Sequence, residues 1–326
     1  MRNFTQAIVE LYKLTTTFLP EDVKEKLRQV EKESQEKLEK KVMTSILENI
    51  KIAEKKGLPL CEDTGIPIFF IYYSKEFSQK EIKKSVLDAT KTATEKNFLR
   101  PNAVDSLTQK NSGNCIGKGI PTIYFEEWEK DFIEVNLLLK GGGSENIGRT
   151  YSLPNPELNA GRDLDGIKKC VLDAVVKAQG LGCPPTVVSV VVGGSKDVIA
   201  VESKKQLLEK LEVKQPFLEK KVEQKTEKNN ELKEKENNEL KKEEITGEKK
   251  DQKLEKEIQE FNEDLLKKIN SLGIGPMGLG GKNTVLEVKT KFLARHPASF
   301  FVEVSFCCWA DRRHTLKWEN GEAHYD

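Results

Sequence analysis

The sequence predicts an α/β fold of mixed α+β layers, in which N-terminal helices precede a mixed sheet with flanking helices. Apolar residues recur at helical spacing through the first sixty residues, and short β-branched and aromatic runs follow them. A block rich in Lys and Glu over residues 204–260 interrupts this pattern. We expect that block to be a solvated helical or disordered insert in a single domain formed by residues 1–203 and 261–326.

Three amphipathic helices are expected before residue 60. Their apolar positions are Ile8, Leu11, Leu14 and Phe18, then Val23, Leu27 and Val30, then Val42, Ile46, Ile50 and Ile52. Pro20 separates the first helix from the second, and Gly57 with Pro59 ends the third. Further helical stretches are expected near 78–96 and 163–180.

Five runs of strand length carry β-branched and aromatic residues. They are IPIFFIY (66–72), PTIYF (121–125), FIEVNLLL (132–139), TVVSVVV (186–192) and SFFVEVSF (299–306). Such residues are enriched in strands because their side chains pack well on a pleated surface. Helices placed between these runs give the alternation that predicts a layered α/β domain.

The Lys/Glu-rich block has too few apolar residues to bury a face. Residues 219–258 hold 12 Lys and 13 acidic residues among 40 positions, and the apolar positions keep no heptad register. A solvated helix or a disordered segment is therefore expected, with a coiled-coil surface as the alternative. An amphipathic helix resumes near Leu254 and continues through Phe261 and Ile269 to Gly273.

The composition excludes several classes of function. Lys and Arg number 54 against 53 Asp and Glu, so no global field favours nucleic acid or an anionic membrane. No apolar run is long enough to span a bilayer, and the N-terminus has no signal-peptide core, so a cytoplasmic location is expected. The six cysteines are expected to be reduced thiols, and none form a CxxC pair.

Three glycine-rich segments are candidates for ligand-binding loops. GIGPMG (273–278) fits the dinucleotide motif GxGxxG, but it follows a predicted helix instead of a strand, which argues against a nucleotide site. KGGGSEN (140–146) and VVGGS (191–195) each follow a predicted strand. Each loop alone is explained by a tight turn. Together they favour a ligand site, because glycine lets backbone amides approach an anion closely.

Four cysteines lie next to predicted strands. Cys61 in PLCEDTG and Cys183 in GLGCPP each precede a strand, and Cys307 and Cys308 end another. A single cysteine in such a place is more often a small buried apolar residue. The combination of several strand-end cysteines suggests a shared site.

The motifs PLCEDTG, LRPN (99–102), KGGGSEN, GLGCPP, GIGPMGLGGKNT, HPAS (296–299) and CWADRR (308–313) occur in this order. In this order they resemble the class I, iron-sulfur-dependent fumarate hydratases, specifically the α subunit of the two-subunit form that includes tartrate dehydratases. The resemblance covers nearly the whole chain except the charged insert. It implies hydration of fumarate to (S)-malate, a step of the tricarboxylic acid cycle.

The resemblance also implies a 4Fe-4S cluster with three cysteine ligands, which motif matching assigns to Cys61, Cys183 and Cys308. Neighbouring strand residues point to opposite faces, so Cys307 is expected to face away from the cluster. Cys115 and Cys170 are expected to be buried or incidental thiols. The iron without a thiolate would act as a Lewis acid on the substrate, which a fourth thiolate would block.

Other implied site residues follow from the same motifs. Asp63 and His296 match catalytic positions, and Arg100 matches the residue that contacts substrate. A guanidinium suits a dicarboxylate because its planar fork binds carboxylate bidentately. Substrate contacts are also expected from Glu62, Asp63 and the three glycines Gly141, Gly142 and Gly143. Arg312 and Arg313 could bind substrate or balance the charge of the cluster.

One departure from the family pattern concerns the substrate. Glu62 stands where the family usually has Gln, and its carboxylate should repel a dianion unless it is protonated or paired with a cation. The α-type resemblance further implies a separate β subunit that supplies the general base, hence a heterodimer or heterotetramer. Tartrate dehydration and mesaconate hydration are alternatives within the class. A non-catalytic module that recruits partners through the charged insert is the alternative outside it.

Overall fold

A computed structural model of the chain describes the backbone of residues 2–213 and 238–326 and the side chains of residues 3–213 and 252–326. It confirms the predicted α/β class. The N-terminal helices are α1 (Arg2–Thr17), α2 (Glu21–Glu33) and α3 (Lys37–Lys56). Helix α3 ends at Gly57, whose φ of 64° is readily accessible to a residue without Cβ. The prolines and glycines of the sequence therefore end these helices where expected.

The first sheet has five strands. They are β1 (Ile66–Tyr73), β2 (Thr122–Glu127), β3 (Ile133–Lys140), β8 (Arg313–Glu319) and β9 (Glu322–Tyr325), in the order β2-β1-β3-β8-β9. Strands β1 and β2 are parallel, and the remaining pairs are antiparallel. This antiparallel pairing of β1 and β3 sets Ile66, after the first cysteine loop, opposite Lys140, before the glycine loop.

The second sheet has four strands. They are β4 (Arg149–Ser152), β5 (Thr186–Val192), β6 (Val285–Phe292) and β7 (Phe301–Cys307), in the order β4-β7-β5-β6. Strand β5 is parallel to β6 and antiparallel to β7, with Val187 opposite Cys307. Because of this register, the segment before β5 and the segment after β7 lie at the same end of the sheet.

Helices cover both sheets. They are α4 (Gln79–Glu95), α5 (Gly142–Asn146), α6 (Leu164–Ala178), α7 (Lys196–Gln206) and α8 (Asn238–Asn270), with a 3₁₀ turn at Pro276–Gly278. Helix α4 packs on α1, where the hydroxyls of Tyr12 and Thr90 lie 2.7 Å apart. Helices α4 and α6 confirm the predicted stretches near 78–96 and 163–180.

A shared apolar core joins the two sheets. Residues of α2 and α3 pack together with Phe70 and Leu138 of the first sheet and with Val187, Leu286 and Cys307 of the second. Burial of this apolar surface provides most of the free energy that holds the two sheets in a fixed relation. The loops at their adjoining ends are therefore held on a common framework.

Four strands escaped the sequence prediction: β4, β6, β8 and β9. In strands β6 (VLEVKTKF) and β8 (RHTLKWE) charged residues alternate with apolar ones. The apolar runs by which the other strands were predicted are therefore missing from these two segments. Two of these charges are buried with polar partners. The ammonium of Lys289 donates to the backbone carbonyls of Glu209 and Lys210, and Arg313 forms an ion pair with Asp22. Buried charges with polar partners thus stand where an apolar run would have predicted a strand.

Both flanks of the predicted insert, 204–260, contribute to the fold. Leu207 and Leu211 are buried in the shared core, and Phe261, Leu265 and Ile269 of α8 are buried against the second sheet. The predicted solvated or disordered state concerns chiefly residues 214–251, which lie outside the residues with described side chains. Among the described helices, none combines the length and the apolar character needed to cross a bilayer.

Candidate functional site

Three cysteines of distant sequence meet at one end of the two sheets. Cys183 lies just before β5 and Cys308 just after β7, and the antiparallel register brings these two ends together. The amide of Trp309 donates to the carbonyl of Cys183 over 3.2 Å, which ties the two loops directly. Cys61 lies in the α3–β1 loop and is exposed, whereas Cys183 and Cys308 are half-buried.

The charges of these groups act on one another. Burial, and then the negative charges of Cys308, Cys61 and Asp63, raise the pKa of Cys183. A hydrogen bond from Cys307, together with the charges of Arg312 and Lys140, lowers the pKa of Cys308 to about 6. The charges of Cys308, Cys61 and Asp63 thus all act on Cys183, so these groups lie near one another.

The remaining cysteines have other surroundings. Cys307 has no exposed surface and belongs to the core that joins the sheets, and its thiol forms a hydrogen bond with the adjacent Cys308. Cys170 is buried in the core of the second sheet, and Cys115 is buried as well. Cys115 and Cys170 are thus buried, as expected, whereas the hydrogen bond of Cys307 to Cys308 argues against the prediction that Cys307 faces away from the site.

Asp63 is held by groups from three loops. Its Oδ2 accepts a hydrogen bond from the amide of Gly142 over 2.7 Å, and its Oδ1 accepts one from the amide of Gly65 over 2.9 Å. The guanidinium of Arg312 donates to its carbonyl oxygen over 2.6 Å. The carboxylate next to Cys61 therefore has a fixed position.

The LRPN loop lies beside the first cysteine loop. The amide of Arg100 donates to the hydroxyl of Thr64 over 2.9 Å, and the side chain of Asn102 donates to the same hydroxyl over 3.3 Å. The guanidinium of Arg100 forms an ion pair with the carboxylate of Glu62, and both side chains are largely exposed. A cleft of about 340 Å³ is lined by Glu62, Asp63, Arg100, Pro101, Asn102 and Asn111.

The glycine loop after β3 forms a second wall. Gly142 donates to Asp63, and a Cβ on Gly141 would lie 3.4 Å from the same carboxylate. A Cβ on Gly143 would lie 3.2 Å from the carbonyl oxygen of Leu181, two residues before Cys183. The structure thus brings all three predicted glycines to the cysteine end of the sheets.

Of the other glycine loops, one lies at this end and one does not. The 273–281 loop precedes β6 and contacts the second cysteine loop, because the amide of Met277 donates to the carbonyl of Pro184 over 2.8 Å. Gly193 and Gly194 follow β5 at the opposite end, where Gly194 donates to the carbonyl of Ala294. The combined ligand site that three loops suggested therefore involves two of them.

His296 does not join the other predicted residues within this chain. It is exposed and lies between β6 and β7, at the end of the second sheet opposite Cys183 and Cys308. Seven-residue strands separate the two ends by roughly 20 Å. The sequence motif predicted a site histidine from residue type and position alone. The direction of the strands places this histidine at the other end of the sheet. A His296 acting at the cysteine site would have to come from another copy of the chain.

The donor set fits an iron-sulfur cluster that takes one thiolate per iron. Among residues 3–213 and 252–326, no three His, Cys, Asp or Glu side chains converge closely enough to hold a single metal ion. A cluster does not require such convergence, since its thiolates bind different irons. Three accessible or half-buried thiols, one with a depressed pKa, surrounded by buried cations, are the chemistry that such a cluster needs.

Sequence reasoning missed some residues of the site. Lys140 is fully buried, and its ammonium donates to the hydroxyl of Ser144 over 2.9 Å and lies 3.4 Å from the carboxylate of Glu145. Thr64 was missed as the link between two loops. A lysine that ends an otherwise apolar strand directly before three glycines was the available signal for Lys140.

The family model that matches this chain covers most of its length. The family model described as fumarate hydratase (Fumerase) matches residues 5–238 and 233–317. A Geobacillus stearothermophilus protein named "Putative fumarate hydratase class I" is 37% identical over 318 residues, which cover 96% of this chain and 54% of that protein. The chain thus spans about half the length of that relative.

Two further relatives have nearly the length of this chain. A Methanocaldococcus jannaschii protein named "Putative L(+)-tartrate dehydratase subunit alpha" is 36% identical over 314 residues, covering 95% of each chain. The "L(+)-tartrate dehydratase subunit alpha" of Escherichia coli K12 is 28% identical over 318 residues, covering 97% of this chain and 91% of that one.

Proposed function

Since the chain belongs to the fumarate hydratase (Fumerase) family, we propose that it is the α subunit of an iron-sulfur hydro-lyase that reversibly hydrates fumarate to (S)-malate. The observation that carries this proposal is the meeting of Cys61, Cys183 and Cys308 beside Asp63. A cytoplasmic location and a role in the tricarboxylic acid cycle belong to the same proposal.

The three thiols would hold a 4Fe-4S cluster. When bound, the cluster would supply an iron without a protein thiolate, a Lewis acid for the carboxylate and hydroxyl of the substrate. The loops that carry the thiols are fixed by the two sheets and by the bond between Trp309 and the carbonyl of Cys183. Two of the three thiols therefore lie on loops that are joined directly to each other.

Arg100 is proposed to bind a substrate carboxylate. Its guanidinium lies on the cleft wall with Asp63, and its backbone is held by Thr64. Substrate must displace Glu62 from Arg100, or bind beside the pair, because the two side chains already form an ion pair. The repulsion that Glu62 would exert on a dianion is reduced by this pairing.

Asp63 is proposed to hold or move a proton at its carboxylate. The amides of Gly65 and Gly142 fix the direction of its two oxygens, so a substrate in the cleft meets a preorganised group. Because the amide of Gly142 already donates to Asp63, hydrogen bonds from the glycine loop to an anion are proposed to come from Gly141 and Gly143. His296 keeps its proposed catalytic role only as a residue of a second copy.

A separate β subunit is proposed to complete the site with the general base. Two relatives of similar length carry "subunit alpha" in their names, whereas the class I protein is nearly twice as long. A heterodimer or a heterotetramer follows from this pairing. The same names favour L(+)-tartrate as a second candidate substrate, and mesaconate remains a chemically related one.

The test is anaerobic co-production of the chain with a β-type subunit, followed by assays of fumarate, L(+)-tartrate and mesaconate. We expect hydration of fumarate, bleaching in air, and little activity from either subunit alone. Preferential turnover of L(+)-tartrate would identify tartrate, instead of fumarate, as the substrate. Absence of iron and sulfide from the active complex would overturn the proposal of a cluster enzyme.

A further inference from the structure

Two adjacent arginines after β7 have different electrostatic partners. Arg313 is buried and pairs with the carboxylates of Asp22 at 2.5 Å and Asp311 at 3.4 Å. Arg312 is also buried, with 1% of its surface exposed, and within the described part of the chain no carboxylate lies within 4.0 Å of its nitrogens. Arg313 thus has its negative charge in the fold, and Arg312 does not.

The hydrogen bonds of Arg312 are also incomplete. One terminal nitrogen donates to the backbone carbonyl oxygen of Asp63, and this carbonyl group carries no net charge. Its buried Nε has no hydrogen-bond partner. The other terminal nitrogen lies 3.8 Å from the position that a Cβ on Gly141 would occupy, so the guanidinium reaches the glycine loop of the site.

A buried guanidinium without a counter-charge costs several kcal/mol, and it cannot escape this cost by losing its proton. The carbonyl that Arg312 reaches belongs to Asp63, two residues after Cys61, and Arg312 itself follows Cys308 by four residues. The guanidinium therefore lies between the loops of two of the proposed cluster ligands. The negative charge that would match Arg312 is that of the metal-binding thiolates.

The second buried cation of the site, Lys140, provides a contrast. Its ammonium has the hydroxyl of Ser144 at 2.9 Å and the carboxylate of Glu145 at 3.4 Å. Glu145 also pairs with Lys204 at 2.8 Å. Lys140 thus has a carboxylate partner in its own chain, whereas Arg312 has none within 4.0 Å in the described part of the chain.

We propose that Arg312 is the fixed counter-charge of the iron-sulfur cluster, a positioning residue that stabilises its thiolate ligands and raises its reduction potential. This inference rests on the proposed function, since it requires that the three cysteines hold a cluster. A positive charge next to a cluster favours the reduced state, because reduction adds negative charge. Loss of that charge should lower the potential and weaken cluster binding.

The experiment compares the wild-type chain with Arg312→Gln and Arg312→Lys, each reconstituted anaerobically with ferrous iron and sulfide. Iron and sulfide per chain and the midpoint potential, followed by electron paramagnetic resonance, are the readouts. We expect Arg312→Gln to retain several-fold less iron and to show a more negative potential. Arg312→Lys keeps the positive charge, so its iron content and its midpoint potential should both lie close to those of the wild-type chain.

Arg313→Gln is the matched control, because it removes the same charge one residue away on the side of Asp22 and Asp311. It should lower thermal stability and leave the potential unchanged. An unchanged potential in Arg312→Gln, or failure of that variant to fold before iron is added, would overturn the inference. A wild-type chain that binds no cluster would instead overturn the proposed function itself.

Discussion

The amide of Gly142 donates a hydrogen bond to Oδ2 of Asp63 over 2.7 Å, joining two loops that are 79 residues apart in the sequence. The same carboxylate accepts from Gly65, and the carbonyl of Asp63 accepts from Arg312. A single aspartate thus links the first cysteine loop, the glycine loop and the segment after the third cysteine. The geometry of the site depends on the backbone around it.

Gly65→Ala should displace this loop. Gly65 has a φ of 87°, and a Cβ there would lie 2.8 Å from the carbonyl carbon of Leu139. We expect a loss of more than about 2 kcal/mol in the free energy of unfolding, from backbone strain and the clash together. Iron content after reconstitution should fall as well, measured beside urea unfolding.

Gly57→Ala is the control for that variant. Gly57 has a φ of 64°, but no atom lies within 4 Å of the added Cβ. It should cost only about 1 kcal/mol, from the left-handed conformation alone, with iron content unchanged. Equal losses in the two variants would show that the contact with Leu139 is unimportant.

Glu62→Gln should improve binding of a dicarboxylate. The change frees Arg100 from its ion pair and removes a negative charge from the cleft wall. Exposed ion pairs contribute at most about 1 kcal/mol, so KM should fall about two- to fivefold with kcat little changed. Steady-state kinetics of the anaerobic complex at low ionic strength would measure this.

Glu95→Gln is the control for the Glu62 variant, since it removes an exposed carboxylate that is paired with Lys91 and does not line the cleft. It should leave KM unaltered. A higher KM in Glu62→Gln would mean that the Glu62 carboxylate itself contacts substrate, for example by accepting a hydrogen bond from a hydroxyl.

Cys183→Ser should abolish cluster loading. A serine hydroxyl is a poor substitute for a thiolate as an iron ligand, so iron, sulfide and hydration activity should all be lost. Cys170→Ala is the control, because Cys170 is buried in the core of the second sheet. It should cost about 1 kcal/mol of stability and retain the cluster. An active Cys183→Ser complex would refute the ligand assignment.

His314 should lower the free energy of unfolding as the pH is reduced below 7. Burial lowers its pKa to about 4 from an ordinary 6.5, and the charges of Asp326, Arg313, Lys24 and Asp22 face its ring. The unfolded chain therefore binds the proton more readily between pH 6.5 and 4, so folding loses stability as pH falls through that window. The expected loss from pH 7 to pH 5 is about 1 to 2 kcal/mol.

Urea unfolding at the two pH values would measure this loss. His314→Gln should show a smaller difference between pH 7 and pH 5, whatever its stability at pH 7. His324→Gln, on the neighbouring strand, serves as the control and should retain the wild-type difference. Identical pH dependence in wild type and His314→Gln would contradict the assignment.

Deletion of residues 219–258 should leave activity within about twofold of wild type. The buried residues nearest to the deletion, Leu211 and Phe261, remain. Most surface substitutions away from packed features change stability little, and the same is expected here. Loss of activity without loss of folding would favour the alternative of a module that acts through its charged segment.

The sequence pattern predicted most of the helices and five of the strands, because their apolar periodicity is local. It failed for β6 and β8, where Lys289 is buried against the backbone carbonyls of Glu209 and Lys210 and Arg313 is buried against Asp22. Such pairing is invisible in a local window. The nearest signal, alternation of charged with apolar residues, is also typical of a half-exposed surface segment.

The sequence by itself determined the residue types and the spacing of the motifs that predict the site, those around Cys61, Cys183 and Cys308. Only the tertiary structure decided which of them meet. The antiparallel register of β5 and β7 puts Cys183 and Cys308 at one end and His296 at the other. Contacts between distant segments also paired Arg313 with Asp22 and left the buried Nε of Arg312 without a hydrogen-bond partner. The physical reason is that strand direction and burial of charge are set by packing across the sheets, whereas residue type and spacing are written along the chain.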